Sequence, residues 1–153
     1  MGVLFREDVF VMDLEIKDIG DLGEKIAGQY LKDKGYSILS NHYTTRWGEI
    51  DLVVQDQEEI VFVEVKSRSN QQFGMPTESI TEQKLNRLIK TIHCYLQEKC
   101  FNEASYRIDV ISIIFSSVTP PAIQHLKNIT PFPELNYPKN YDQDSHCTVN
   151  SQG

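Results

Sequence analysis

Gly48-Glu49-Ile50-Asp51-Leu52-Val53-Val54-Gln55, then Asp56-Gln57-Glu58-Glu59, then Ile60-Val61-Phe62-Val63-Glu64-Val65-Lys66-Ser67, is the stretch that decides the fold. Ile50, Leu52 and Val54 alternate with Glu49, Asp51 and Val53. Val61, Val63 and Val65 alternate with Phe62, Glu64 and Lys66. A period of two in β-branched residues is a strand signal. Both runs are apolar on most of both faces, as central strands of a covered sheet are. The polar tetrad between them predicts a hairpin with a four-residue turn at 56–59, which pairs Gln55 with Ile60 and Asp51 with Glu64.

Outward from the hairpin the periodicity changes. Leu22, Ile26, Ala27, Tyr30 and Leu31 share one helical face, so a helix is predicted over 22–34, stopped by Gly35. Tyr36 to Leu39 reads as a short strand and 40–47 as a polar connection. Gly74 and Pro76 mark 68–80 as a loop. A second helix is predicted over 81–97, with Leu85, Leu88, Ile89, Ile92, Tyr95 and Leu96 inward. Tyr106 to Phe115 reads as a strand, and Ile123 to Lys127 as a last short one. The order α-β-β-β-α-β-β predicts an α/β domain with a mixed central sheet flanked by helices. Three segments result: an acidic N-terminal extension (1–21), the domain (22–130) and a flexible polar tail (131–153).

The 153 residues suffice for one domain with its own core. No apolar run is long enough to cross a membrane as a helix, and the start carries no signal-peptide pattern. Cys94, Cys100 and Cys147 are odd in number and lack CxxC spacing, which suggests neither a disulfide framework nor a zinc site. A cytoplasmic location is the expectation. The formal charge of −7 argues at first against a nucleic-acid partner. Residues 1–21 carry −4 of it and 134–153 carry −2, which leaves −1 for the middle. Weak, salt-sensitive binding of nucleic acid is compatible with that balance.

The chemistry lies in the hairpin's polar residues. If Asp51 opposes Glu64, then Lys66, two residues on, shares their face. Two carboxylates and an ammonium would converge on strands otherwise made of Val, Ile, Leu and Phe. Buried carboxylates are costly unless paired or metal-bound. A Mg²⁺ or Mn²⁺ ion held by oxygen ligands removes that cost and can polarise a phosphoryl oxygen. Lys66 could then orient water or stabilise developing charge. The alternative is a surface ion pair between Glu64 and Lys66, worth ~0–1 kcal/mol, with Glu49 as another partner for Lys66. Glu24 could lean over the sheet end as a further ligand or base. Equally, Asp21-Leu22-Gly23-Glu24 fits a helix-capping box. Arg46, Arg68, Lys84 and Arg87 flank the acidic pair and could hold phosphates, or stand as solvated charges. Trp47 could stack on a base or pack under the sheet edge. His42, His93, His125 and His146 have no metal-ligand spacing and read as structural or exposed.

These residues carry a resemblance. Gly23-Glu24 with Ala27 and Tyr30-Leu31, Gly35-Tyr36-Ser37-Ile38-Leu39, Gly48-Glu49-Ile50-Asp51-Leu52, Phe62-Val63-Glu64-Val65-Lys66 with Arg68, Arg107-Ile108-Asp109-Val110 and His125-Leu126 match a pattern running over about 22–130. The chain resembles the YraN-like predicted endonucleases, a bacterial group related to Holliday-junction resolvases and restriction endonucleases. The resemblance implies a restriction-endonuclease-like core and metal-dependent hydrolysis of DNA, including branched or junction DNA. It implies Asp51 and Glu64 as metal ligands, Lys66 as the catalytic lysine, Glu24 as the first-helix acid and Glu49 as part of the metal-binding motif. A homodimer follows by analogy with resolvases, whose substrate is two-fold. Where the family gives an aromatic residue and then an arginine after Asn41, this chain has His42-Tyr43. Two other readings compete. One is a non-catalytic nucleic-acid-binding module that keeps the fold, and the other is an interaction protein that uses the acidic N-terminus.

Overall fold

A computed structural model describes residues 16–69, 81–101 and 103–129. Its elements are α1 (Ile16–Asp33), β1 (Ser37–Thr45), β2 (Gly48–Asp56), β3 (Glu59–Arg68), α2 (Glu82–Glu98), β4 (Tyr106–Ile114) and β5 (Ala122–Leu126). The five strands form one sheet in the order β1-β2-β3-β4-β5. All neighbours are antiparallel except β3 and β4, which run parallel across the α2 crossover. The architecture is the mixed α/β sheet flanked by helices, compatible with a restriction-endonuclease-like core.

The two helices cover opposite faces of the sheet. Leu85, Leu88, Ile92 and Tyr95 of α2 pack on Tyr43, Ile50, Val53, Phe62 and Ile108. Ala27 and Leu31 of α1 pack on Leu52, Val54, Val61, Val63, Ile111 and Ile113. Burial on both sides explains why β2, β3 and β4 are so apolar. α1 approaches the sheet closely at Gly23, where a Cβ would fall 1.8 Å from Ser67 Oγ and 3.1 Å from its Cβ. Any larger residue there must displace the Ser67 side chain.

Three boundaries differ from the sequence reading. The first helix begins at Ile16 rather than Leu22, because Ile19 extends the same apolar stripe back by a turn. Asp21 is therefore inside the helix, and the capping-box reading of Asp21 and Glu24 falls, as does the placing of 16–21 in an extension outside the domain. The helix stops as predicted: Gly35 takes φ 90°, and Tyr36 N–H donates to Leu31 O at 3.0 Å. The first strand is not a stub at 36–39 but runs to Thr45. As an edge strand with one unpaired flank, it tolerates Ser40, Asn41, His42 and Thr44. The β2–β3 turn has two residues, not four, since Asp56 pairs with Glu59 and Gln57 takes φ 56°. The predicted pairing of Gln55 with Ile60 is present.

The second helix starts one residue later than predicted, at Glu82, and Thr81 is its cap, with a side chain that accepts from Lys84 N at 3.2 Å. Cys94 on this helix is buried and disulfide-bonded, against the reading of unpaired cysteines, while Cys100 is free and exposed. The support that the cysteines lent to a cytoplasmic location is thereby removed. Among the described residues no helix is long and apolar enough to cross a membrane. The loop predicted over 68–80 loses Arg68 to the end of β3, and its residues 70–80 lie outside the described residues, as do 1–15 of the predicted extension and all of the predicted tail.

Candidate metal centre and nucleic-acid groove

The site is built where the central hairpin opens. The β2–β3 ladder closes at Asp56–Glu59 and runs only as far as Leu52–Val63, one pair short of Asp51 and Glu64. Side-chain alternation also breaks there. Ile50 and Val53, three residues apart, both join the core under α2, whereas Leu52 and Val54 join the core under α1. Asp51 sits at that break. Its Oδ2 accepts the Val65 N–H at 2.7 Å, so the side chain takes over where the ladder stops.

Asp51 is 8% exposed. Burial, then the charge of Glu64, pushes its carboxyl up to about 7, and Glu24 and Glu49 add to the rise. The Val65 N–H opposes this without cancelling it. Glu24 reaches the same place from α1, and its carboxyl is raised by burial, against the lowering effect of His42. His42 Nδ1 lies 3.8 Å from Glu24 Oε2, and its Nε2 lies 3.4 Å from Glu49 Oε2. One ligand atom from each of Glu24, His42 and Asp51 falls within 4.8 Å of the others. A divalent cation suits this set, since it would neutralise several close carboxylates at once.

Glu64 is held differently. Its Oε1 lies 2.6 Å from Lys84 Nζ and 3.4 Å from Lys66 Nζ, with 12% of the side chain exposed. Burial and the neighbouring Lys84 pull the Lys66 ammonium below its usual range, against the attraction of Glu64. Burial is the largest influence on Lys84 and would lower it, but the bond to Glu64, the contact with Lys66 and the charges of Glu64 and Asp51 together raise it.

A groove of about 370 Å³ opens beside Glu64, between the β1–β2 turn and α2. Its walls include Trp47, Glu49, Lys84, Arg87 and Leu88. Arg46 lies over the Trp47 ring at 4.5 Å to the centroid, at the groove's lip. Of the predicted phosphate contacts, Lys84 and Arg87 line the groove and Arg46 borders it. Arg68 stands at the end of β3, in register with Ile114, two residues past Lys66.

Sequence reasoning missed two residues. His42 was read as structural or exposed. It is 56% exposed at its side chain, yet Asn41 pairs with Leu52 and Tyr43 with Ile50, which sets His42 opposite Asp51. Extending β1 to Thr45 is the signal that finds it. Lys90 lies over Trp47 at 4.4 Å. Its spacing of three from Arg87 and six from Lys84 on one helix would have revealed it.

The profile of uncharacterised protein family UPF0102 matches residues 23–113, a span that takes in all the candidate residues named above. The chain is 42% identical over 103 residues to a UPF0102 protein of Clostridium botulinum (strain Loch Maree / Type A3), covering 67% of this chain and 84% of that one. It is 37% identical over 114 residues to a UPF0102 protein of Caldanaerobacter subterraneus subsp. tengcongensis, covering 73% and 93% respectively.

Proposed function

This chain belongs to the UPF0102 family, and from that premise we propose that it is a metal-dependent endonuclease hydrolysing DNA phosphodiester bonds, including those of branched DNA. The observation that carries the reading is Asp51. It is a buried carboxyl held up to about 7 by burial and by the charge of Glu64, and its acidic neighbours Glu49 and Glu64 line a groove that Lys84 and Arg87 also wall. A carboxyl so unfavourable to ionise is what a cation site looks like before the cation is counted.

The residues divide the work. Asp51, Glu24 and His42 would hold Mg²⁺ or Mn²⁺, with Glu64 and Glu49 next to them. A bound divalent cation supplies Lewis-acid polarisation of the scissile phosphate. Lys66, lowered by burial and by Lys84, is suited to exchanging a proton with the attacking water and to countering charge on the phosphate. Lys84 and Arg87 hold flanking phosphates, and Arg46 and Arg68 extend that contact along the strand.

The test is cleavage of end-labelled four-way junction, single-stranded and plain duplex DNA, with Mg²⁺, with Mn²⁺ and with chelator. Metal-dependent product from at least one substrate, lost in Lys66→Ala, is the expected result. No cleavage of any substrate, or equal cleavage by Lys66→Ala, overturns the proposal.

A further inference from the structure

The geometry points to a second element of recognition in the groove: an unpaired DNA nucleotide whose base stacks on Trp47 while its phosphates meet Arg87 and Lys84. This rests on the nuclease reading only for the cut beside Glu64; the binding itself does not need catalysis.

Trp47 is mounted rather than merely exposed. It occupies the second position of the two-residue turn between β1 and β2, and its N–H donates to Thr45 Oγ1 at 3.1 Å. Thr45 is buried, and its hydroxyl lies 3.4 Å from that of Thr91, itself buried in α2. The hydroxyl of Thr91 in turn donates to Arg87 O at 2.9 Å. The turn is thus pinned to the helix that carries the groove's cations. A ligand that stacks on a side chain carried by a pinned turn has little ordering of the backbone to offset.

The ring's present neighbours are replaceable. Arg46 and Lys90 lie over it at 4.5 and 4.4 Å. Cation–π contacts at exposed sites contribute about 0.5–1 kcal/mol each. A base stacked on an aromatic side chain contributes about 1–3 kcal/mol. One stacked base is thus comparable to the two contacts together, and the balance tips toward the base because the two released cations are left beside its phosphates, where they bind more strongly.

Size and charge select an unpaired nucleotide. The groove's volume of about 370 Å³ is that of a pocket for one small ligand, not of a channel for a duplex. Lys84, Arg87 and Lys90 run along α2 at three-residue steps, about 9 Å in all at 1.5 Å per residue. Leu88 gives the groove an apolar wall. The base of a paired nucleotide is already stacked in the duplex, and extracting it is costly; an unpaired one is free to stack on protein.

Trp47 is the chain's single tryptophan, so its emission reports on this groove alone. The full-length protein is titrated in chelator with a blunt duplex, with the same duplex carrying an unpaired arm, and with deoxynucleoside monophosphates. Quenching by the armed duplex, at concentrations at least ten-fold below those needed with the blunt one, is expected. In parallel, anisotropy of labelled DNA is read for Trp47→Ala and Trp47→Phe, with circular dichroism to check folding. Trp47→Ala should lose the ten-fold preference for the arm and keep its affinity for blunt duplex, and Trp47→Phe should retain most of the preference. Equal quenching by armed and blunt duplex overturns the inference, as does wild-type affinity of Trp47→Ala for the armed duplex. Quenching by monophosphates at the same concentrations also overturns it, by making a free nucleotide the ligand. Quenching without Mg²⁺-dependent cleavage upholds the inference and counts against the nuclease reading, whereas cleavage without quenching overturns the inference alone.

Discussion

Two aspartates are buried in this sheet, and the protein treats them in opposite ways. Asp109 on β4 is fully buried. Its Oδ1 accepts from Arg107 Nε at 3.0 Å and from Asn128 N at 2.8 Å, and its Oδ2 lies 2.8 Å from His125 Nε2. Although burial works against ionisation, His125, the Asn128 N–H and Arg107 together hold this carboxyl below its usual range. Arg107 is saturated in the same way, donating also to Asp56 at 2.9 Å, to Glu59 at 2.5 Å and to the Tyr36 hydroxyl at 3.2 Å. Asp51 on β2 is nearly as buried, yet it has one backbone donor and three acidic neighbours, and it is pushed up instead. The same residue type, under sheet burial of the same kind, is satisfied by donors on β4, where Asp109 stands in register with Val63, and is left among acidic neighbours on β2, where the ladder opens.

The contrast predicts that amide substitution has opposite consequences at the two aspartates. Asp109→Asn leaves Arg107 with one fewer anion and removes a buried charge pair. Breaking such a pair costs about 3–5 kcal/mol. A drop of that size in unfolding free energy by urea titration is expected, with loss of cooperative folding as the severe outcome. Asp51→Asn removes a carboxyl that is hard to ionise, so stability at pH 8 should hold or rise while metal-dependent cleavage falls by about 10²–10³ or more. If Asp51→Asn destabilises as much as Asp109→Asn, the two sites are of one kind and the distinction fails.

Acid and base should separate them next. Asp51 titrates near 7 in the folded state against 3.8 ordinarily. A raised folded value means that its contribution is complete below about pH 4 and is lost as pH climbs through about 7. At 1.36 kcal/mol per unit this is at most about 4 kcal/mol. Metal-free protein should therefore lose stability between pH 5.5 and 8.5, and Mg²⁺ or Mn²⁺ should restore it at the upper pH. Asp109 runs the other way. Its lowered value supports folding above its ordinary range and gives way only as pH falls through the lowered one. A flat profile from pH 5.5 to 8.5, unchanged by Asp51→Asn, would show that Asp51 ionises without penalty.

How much of this is readable from sequence depends on whether the cause is local. The hairpin and α2 announce themselves, because strict alternation and a 3.6-residue stripe are properties of neighbouring residues. The edge strand β1 does not, because Ser37-Ile38-Leu39-Ser40-Asn41-His42 needs no apolar face where one flank is unpaired. The start of α1 is hidden for a similar reason: Gly20 and Gly23 look like breakers, and the reason for Gly23 lies at Ser67 on another element. The turn at Gln57-Glu58 is tightened by Arg107, nearly fifty residues away, which draws Asp56 and Glu59 together. Asp51, Glu64 and Lys66 stand out in sequence because charge inside a Val- and Ile-rich run is anomalous. His42 does not, since its place opposite Asp51 exists only once β1 runs through it.

The smallest effect concerns Glu64, which lies between the two behaviours. It is an acid at the open end that already has ammonium partners, with Lys84 Nζ at 2.6 Å and Lys66 Nζ at 3.4 Å. Lys84 is about half exposed at its side chain, so its tie to Glu64 is partly screened and worth about 1 kcal/mol or less. If Glu64 belongs to the cation site, Lys84 competes with the cation for it. Lys84→Met should then tighten Mn²⁺ binding by a few-fold in calorimetry, corresponding to under about 1 kcal/mol at 1.4 kcal/mol per tenfold. It should weaken DNA binding at the same time, because a phosphate contact is lost. Unchanged Mn²⁺ affinity would move Glu64 out of the cation site and into the class of Asp109, a carboxylate satisfied by its own chain. The cation would then rest on Glu24, His42 and Asp51, the three residues whose ligand atoms already converge.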